Sequence, residues 1–158
     1  MTTQVQQAIE ALRPEFGARL STSAAIRDQH GRGEAFVQGF APDSVIWPEN
    51  TGEVSTIVRT CHALRVPVIA YGAGTSLEGH VSAPRGGICI DMSRMDLVLA
   101  VHADDADCVV QPGVTREALN TFLRDTGLFF PVDPGANASI GGMISTRASG
   151  TTTVRYGT

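Results

Sequence analysis

The sequence predicts a mixed α/β fold, shading into α+β, and three observations carry that expectation. The run SVIWP (Ser44 to Pro48), a helical pattern and then VPVIA give an opening strand–helix–strand unit. The later β-type runs GICIDM (Gly87 to Met92), LVLAV (Leu97 to Val101) and DCVVQPG (Asp107 to Gly113) lie too close together for helical crossovers. Two separate segments rich in glycine and other small residues interrupt the pattern, at Gly72 to Gly79 and from Pro131 onward.

The elements follow in order. In MTTQVQQAIEALRPEF, Val5, Ala8, Ile9 and Leu12 recur at helical spacing, so the chain opens on an amphipathic helix that Pro14 is expected to end. Ser21 to Gly39 is polar and glycine-containing and reads as a loop. Thr51 stands where a helix N-cap belongs, ahead of Val54, Ile57, Val58, Cys61 and Leu64, and that helix should stop before Pro67. A third helix is expected after Thr115, with Ala118, Leu119, Phe122 and Leu123 on one face and Gly127 as its stop. MISTRAS reads as a short helix, and TVRYG as an incoming strand.

Composition narrows the function classes. The 158 residues suffice for one ordinary core, and 42% apolar with 18% charged residues describes a globular protein. A net charge of −4 gives no basic stripe for a nucleic acid. No segment approaches the ~20 apolar residues of a membrane span, and the N-terminus has no secretory pattern. The expected location is cytoplasmic, with peripheral attachment at the inner membrane face as the alternative. Cys61, Cys89 and Cys108 are odd in number and sit in apolar runs, as buried free thiols do. His62 directly follows Cys61, which is not the spacing of a zinc pair. No metal site is expected in these residues.

The segment PVIAYGAGTSLEGH (Pro67 to His80) carries the first binding signal. Gly72, Gly74 and Gly79 miss the dinucleotide fingerprint, whose third glycine follows the second by three positions and opens a helix. Only a short stretch with Pro84 precedes the next strand, so Asp91 at its end is not the ribose-binding acid of such a fold. His80 and Val81 replace the Lys-Ser or Lys-Thr of a P-loop, removing the cation and the magnesium ligand. What remains is a backbone nest, where converging N–H groups hold an anion and Thr75 and Ser76 add hydroxyl donors.

PVDPGANASIGGM (Pro131 to Met143) is the second signal. Its prolines stiffen a loop, and Gly141 and Gly142 open the helix MISTRAS, where free N–H groups would favour a flat or anionic ligand by ~0.3–1 kcal/mol per contact. ASG (Ala148 to Gly150) adds a further small-residue patch. Two such segments suit a long, partly planar ligand of dinucleotide kind.

Together PVIAYGAGTSLEGH, GGICIDMSRM, VVQPGVT and LFFPVDPGANASIGGM…ASG…VRYGT resemble the FAD-binding domain of vanillyl-alcohol-oxidase type, also called PCMH type. Within it the likeness is to cytochrome- or quinone-linked D-lactate dehydrogenases and glycolate oxidase flavin subunits, and it covers Ser21 to the end. The resemblance implies two α/β subdomains with FAD between them: after an N-terminal helix at residues 1–20, the FAD-binding domain would fill 21–158, with a first subdomain near 40–92 and the start of a second near 93–158. It implies that Gly72, Ala73, Gly74, Thr75, Ser76 and Gly79 take the FAD pyrophosphate. It also implies that Pro131, Pro134, Gly135, Ser139, Ile140, Gly141 and Gly142 line the flavin and ribityl region, with Ala148, Ser149 and Gly150 alongside. Thr75 stands where some relatives carry a flavin-linking histidine, so FAD is expected to be non-covalent, and Arg147 stands where many carry asparagine.

The resemblance further implies oxidation of a small D-2-hydroxy acid, foremost D-lactate, to the 2-oxo acid. A hydride would pass to the flavin and electrons onward to a cytochrome or quinone. Relatives continue beyond this sequence into a substrate-capping domain with a divalent-metal motif, so the expectation is an N-terminal portion, incomplete at its C-terminus and inactive alone. The same fold could serve glycolate, 2-hydroxyglutarate or another alcohol, or stand as a flavin-binding module without activity. No catalytic residue is expected here. His80 and His102 have no carboxylate at a purposeful spacing, and Asp104, Asp105 and Asp107 read as a solvated turn.

Overall fold

The computed structural model describes residues 2–35 and 39–158. The chain divides into two compact units, Met1–Arg94 and Met95–Thr158.

The first unit opens with α1 (Thr3–Phe16), whose buried stripe is Val5, Ala8, Ile9 and Leu12, extended by Phe16. Pro14 does not end this helix, contrary to the sequence expectation. It sits in the last turn, and burying Phe16 is worth ~1.5–3 kcal/mol, comparable with the ~3 kcal/mol cost of an interior proline. The stretch from Ser21 to Gly39 is not simply a loop either. It holds the end of β1 (Leu20–Ser21) and a helix, α2 (Ala24–Gly31), while residues 36–38 lie outside the described residues. Eight residues are too few for a helix to stand alone, and α2 shows no apolar period. Tertiary bonds hold it instead: Arg27 Nε donates to the Pro42 carbonyl at 2.7 Å, and His30 enters a buried polar cluster.

β2 (Ser44–Ile46), α3 (Thr51–Ala63), β3 (Val68–Tyr71) and β4 (Ile88–Asp91) follow where the sequence puts them. The N-cap of α3 is Asn50 instead of Thr51; its Oδ1 accepts from the Glu53 N–H at 3.0 Å. Val58, placed on the apolar face of α3 by its spacing, is 45% exposed, and Ile57 with Cys61 forms the buried contact. The strand order is β1-β2-β4-β3, with β4 parallel to both neighbours and β1 antiparallel at the edge. Alternation along β4 splits the core. Ile88 and Ile90 meet Ile46, Ile57 and the α1 stripe on one face, and Cys89 meets Val45, Ile69 and Ala83 on the other. No helix joins β3 to β4, as the short connection predicts.

The second unit contains the antiparallel pair β5 (Val98–His102) and β6 (Asp107–Val110), then α4 (Arg116–Leu123) and α5 (Ile140–Thr146). Thr115 caps α4 and Gly127 closes the 3-10 turn behind it, as the sequence implies. Only Leu119 and Leu123 of the expected α4 face are buried. They pack with Val114, Ile140 and Met143, while Phe122 stands 59% exposed. TVRYG is not a strand but a helical turn, α6 (Thr153–Tyr156). The Gly150 N–H donates to the Thr153 hydroxyl at 2.8 Å, and Tyr156 sets its ring edge-on to Phe129, which fixes a turn where β-branched residues suggest extension.

Ile46 is fully buried at the centre of the parallel sheet. Ile46→Ala should cost ~2–5 kcal/mol of stability. Urea unfolding reads this directly, and a loss below ~0.5 kcal/mol would show that the site is not the packed core described.

Candidate functional site

The first glycine segment leaves the C-terminal end of β3, the end of a parallel sheet at which ligands are usually held. Among the described residues, no protein group accepts a hydrogen bond from the backbone N–H groups of Ala73 to Glu78, while Leu77 and Glu78 form a turn closed on the Gly79 N–H. Gly74 has φ +72°, and a Cβ there would stand 2.5 Å from the Tyr71 hydroxyl oxygen, so the phenol packs flush beneath it. Ser76 Oγ lies 2.5 Å from His80 Nδ1 across the turn. Within Gly72 to Gly79, Glu78 is the sole ionic side chain. The segment thus offers backbone N–H groups and hydroxyls but no cationic side chain of its own.

The second segment is built differently. Pro131 to Gly135 and Ala148 to Gly150 are brought together: the Thr152 hydroxyl donates to the Pro131 carbonyl, and a Cβ on Gly150 would fall 1.5 Å from the Asp133 carbonyl oxygen. Arg116 reaches the Asp133 carboxylate at 3.6 Å. The free N–H groups expected at the start of α5 are absent. Ile140 N–H donates to Val114 O, Gly141 N–H to Pro112 O, Gly142 N–H to the Ser139 hydroxyl and Met143 N–H to Ser139 O. Gly141 is required by close packing, since a Cβ would meet Pro112 at 2.7 Å. Ser139 and Ile140 are buried, whereas Pro134, Gly135 and Ser149 are exposed. The amides at the start of α5 are thus spent inside the protein.

A buried polar cluster beneath the first segment escaped the sequence reading. His30 Nδ1 lies 2.8 Å from the Ile26 carbonyl and its Nε2 lies 2.8 Å from Asp91 Oδ2. Trp47 Nε1 donates to the same oxygen at 2.8 Å, and the Ser93 N–H donates to Oδ1 at 2.8 Å. The Tyr71 ring stacks at a tilt 4.5 Å from the His30 ring. Both imidazole nitrogens face acceptors, an arrangement whose two hydrogen bonds only the protonated ring can donate. Burial pushes His30 down, but the Asp91 carboxylate and Ile26 carbonyl outweigh it, and His30 titrates above the ordinary histidine range. Burial pushes Asp91 up, but His30, the Ser93 N–H and Trp47 hold it below the ordinary carboxylate range. Asp91, the one acid in an otherwise apolar strand, was the available signal. Its partner His30 lies 61 positions away, on a helix with no periodicity.

The remaining titratable residues carry less. His80 sits in the first segment on Ser76. His102 does have a carboxylate: the β5–β6 register sets it opposite Asp107, 2.5 Å from Nδ1 to Oδ1, correcting the reading from linear spacing. Both side chains are more than half exposed, where such pairs contribute little. Among the described residues no group of three His, Cys, Asp or Glu could hold a metal. Cys61 and Cys89 are free, and burial pushes their thiols up to about 11 and about 12.

Comparison with known proteins places this geometry. Residues 42–158 match the family described as FAD binding domain. The chain is 48% identical over 158 residues to "Probable D-lactate dehydrogenase, mitochondrial" of Danio rerio, covering 99% of this chain and 32% of that one. It is 53% identical over 117 residues to "D-lactate dehydrogenase [cytochrome], mitochondrial" of Arabidopsis thaliana, covering 74% and 21%. The chain thus spans a third or less of the relatives it matches. A solved structure of alkyldihydroxyacetonephosphate synthase superposes with a TM-score of 0.86 at 26% identity, covering 96% of this chain and 31% of that one.

The glycines differ in what they do, and substitution separates them. Gly150→Ala drives a methyl into Asp133 and Gly141→Ala into Pro112, so each should lower the unfolding free energy by ~1–3 kcal/mol. Gly142→Ala, with only the Ser139 hydroxyl at 3.0 Å, should cost less than either. Chemical denaturation orders the three, and the reverse order would refute the packing described.

Proposed function

The chain belongs to the FAD binding domain family, with FAD as its cofactor, and on that premise we propose that it is the cofactor-holding part of a dehydrogenase oxidising a D-2-hydroxy acid, D-lactate, to the 2-oxo acid. Electrons leave to a cytochrome or quinone. The observation that carries the reading is the run of N–H groups from Ala73 to Glu78 that no protein group claims among the described residues, on a chain about half identical to two D-lactate dehydrogenases.

Gly72, Ala73, Gly74, Thr75, Ser76 and Gly79 hold the diphosphate of a non-covalent FAD. The N–H groups distribute its charge, the hydroxyls of Thr75 and Ser76 add donors, and the absent Cβ at Gly74 lets the backbone approach over Tyr71. The flat surface formed by Pro131, Pro134, Gly135, Gly141, Gly142, Ala148, Ser149 and Gly150 fits a planar ring and its ribityl chain. The N–H groups of Gly135, Gly141, Gly142, Ala148 and Gly150 are already bonded within the protein, so they take no part in holding charge. Ser139 and Ile140 support it from below. FAD, when bound, supplies the two-electron redox chemistry, and these residues position it.

Substrate choice and any divalent metal serving it are assigned to a cap domain beyond residues 1–158. The chain's small share of its relatives supports this. We place the protein in the cytoplasm, at the inner membrane face if a quinone is the acceptor. The buried free thiols support a reducing compartment, while the two relatives named above are mitochondrial. Among the described residues no helix is long and apolar enough to cross a membrane.

The test uses the complete purified polypeptide. It should show a flavin spectrum, release FAD on acid precipitation, and lose visible absorbance under anaerobic D-lactate faster than under L-lactate, glycolate or 2-hydroxyglutarate. A colourless protein would overturn the cofactor assignment. Faster bleaching by another acid would move the substrate, and bleaching by none would leave a flavin-binding module. Gly74→Val should weaken FAD retention tenfold or more, about 1.4 kcal/mol, with the apoprotein still folded.

A further inference from the structure

The cluster of His30, Asp91, Trp47 and Tyr71 lies directly under the first glycine segment, and of its members Tyr71 alone enters the function assigned so far. We propose that His30 is a positioning residue for the diphosphate loop: paired with Asp91 and packed on Tyr71, it holds the phenol under Gly74, so that FAD retention falls when His30 gives up its proton. The inference rests on the FAD reading above and names a control on that same site.

The path is continuous. Asp91 accepts from His30, Trp47 and the Ser93 amide, which fixes the carboxylate at the end of β4. His30 is anchored from the other side by the Ile26 carbonyl of α2. Its ring faces Tyr71, the last residue of β3, and the Tyr71 hydroxyl occupies the space that a Cβ on Gly74 would need. A neutral imidazole has a single N–H for two acceptors. One lone pair would then face an oxygen at 2.8 Å, and the ring must tilt or shift against the phenol it supports.

The direction with pH follows from which group changes. Histidine's contribution is complete below its unfolded value near 6.5 and is lost as pH rises through its raised folded value. That of Asp91 is complete above its unfolded value near 3.8 and is lost as pH falls through its lowered folded value. Between these edges the pair is intact. The other ionisable groups facing it are Tyr71 and Cys89. Burial pushes both upward, Cys89 to about 12, so His30 sets the alkaline edge.

The experiment measures the FAD dissociation constant of the complete polypeptide by ultrafiltration and flavin fluorescence, at pH 6.5 and pH 9. Ring-labelled histidine NMR follows His30 in parallel. Wild type should bind about tenfold more weakly at pH 9, since one linked proton changes affinity at most tenfold per pH unit. His80→Asn, which removes the imidazole of the loop itself, should keep that drop. His30→Gln can still donate to Asp91 and should bind weakly at both pH values with no drop. Tyr71→Phe, which leaves the ion pair whole, should weaken binding while the His30 resonance still titrates as in wild type. The proposal fails if the wild-type constant stays flat while His30 loses its proton, and that result needs no variant to fold. It also fails if His30→Gln keeps the wild-type drop. Absence of FAD at every pH would instead remove the cofactor reading on which this inference stands.

Discussion

Two parallel strands lie side by side, β3 and β4, with no helix connecting them. The rest of the first unit follows from that constraint. A parallel neighbour normally requires a crossover long enough to hold a helix. Here residues 72–87 make the return as loop and turns over the end of the sheet. Loop backbone has to leave its polar groups to water or a ligand. A helix in this place would have bonded its own amides. Without one, the donors from Ala73 to Glu78 stay free of protein acceptors among the described residues.

That loop needs a floor, because free donors converge on an anion only if the chain is held in place. Hydrophobic burial supplies one side through Val45, Ile69, Ala83 and Cys89. The other part is polar: an imidazolium and a carboxylate taken out of water together, with an indole N–H and a backbone amide completing the carboxylate's bonds. A buried charge pair of this kind costs much in desolvation and holds only when its remaining donors and acceptors are satisfied. Asp91 meets that condition, which makes the cluster a rigid support. The second unit uses the opposite device. Its glycines sit where backbones touch, at Gly141 on Pro112 and Gly150 on Asp133, and its helix-start amides are bonded internally. One segment leaves backbone donors open and the other spends them inside the protein.

The sequence by itself determined whatever depends on neighbours along the chain. The apolar runs of β2 to β6 and the helices at α3 and α4 carry their own period and caps. The glycine spacing, through its failure to match a helix-following or lysine-bearing motif, already pointed to a backbone nest. The tertiary structure decided what depends on distant partners. α2 has no period because Pro42 and Asp91 hold it from outside. α1 runs through Pro14 because Phe16 finds a core to enter. The amides at the start of α5 look free in the sequence, but Pro112 and Val114 lie within reach only once the chain has folded. The His30–Asp91 pair spans 61 positions, and only the sheet, by bringing β4 beneath α2, puts two opposite charges in one dry space.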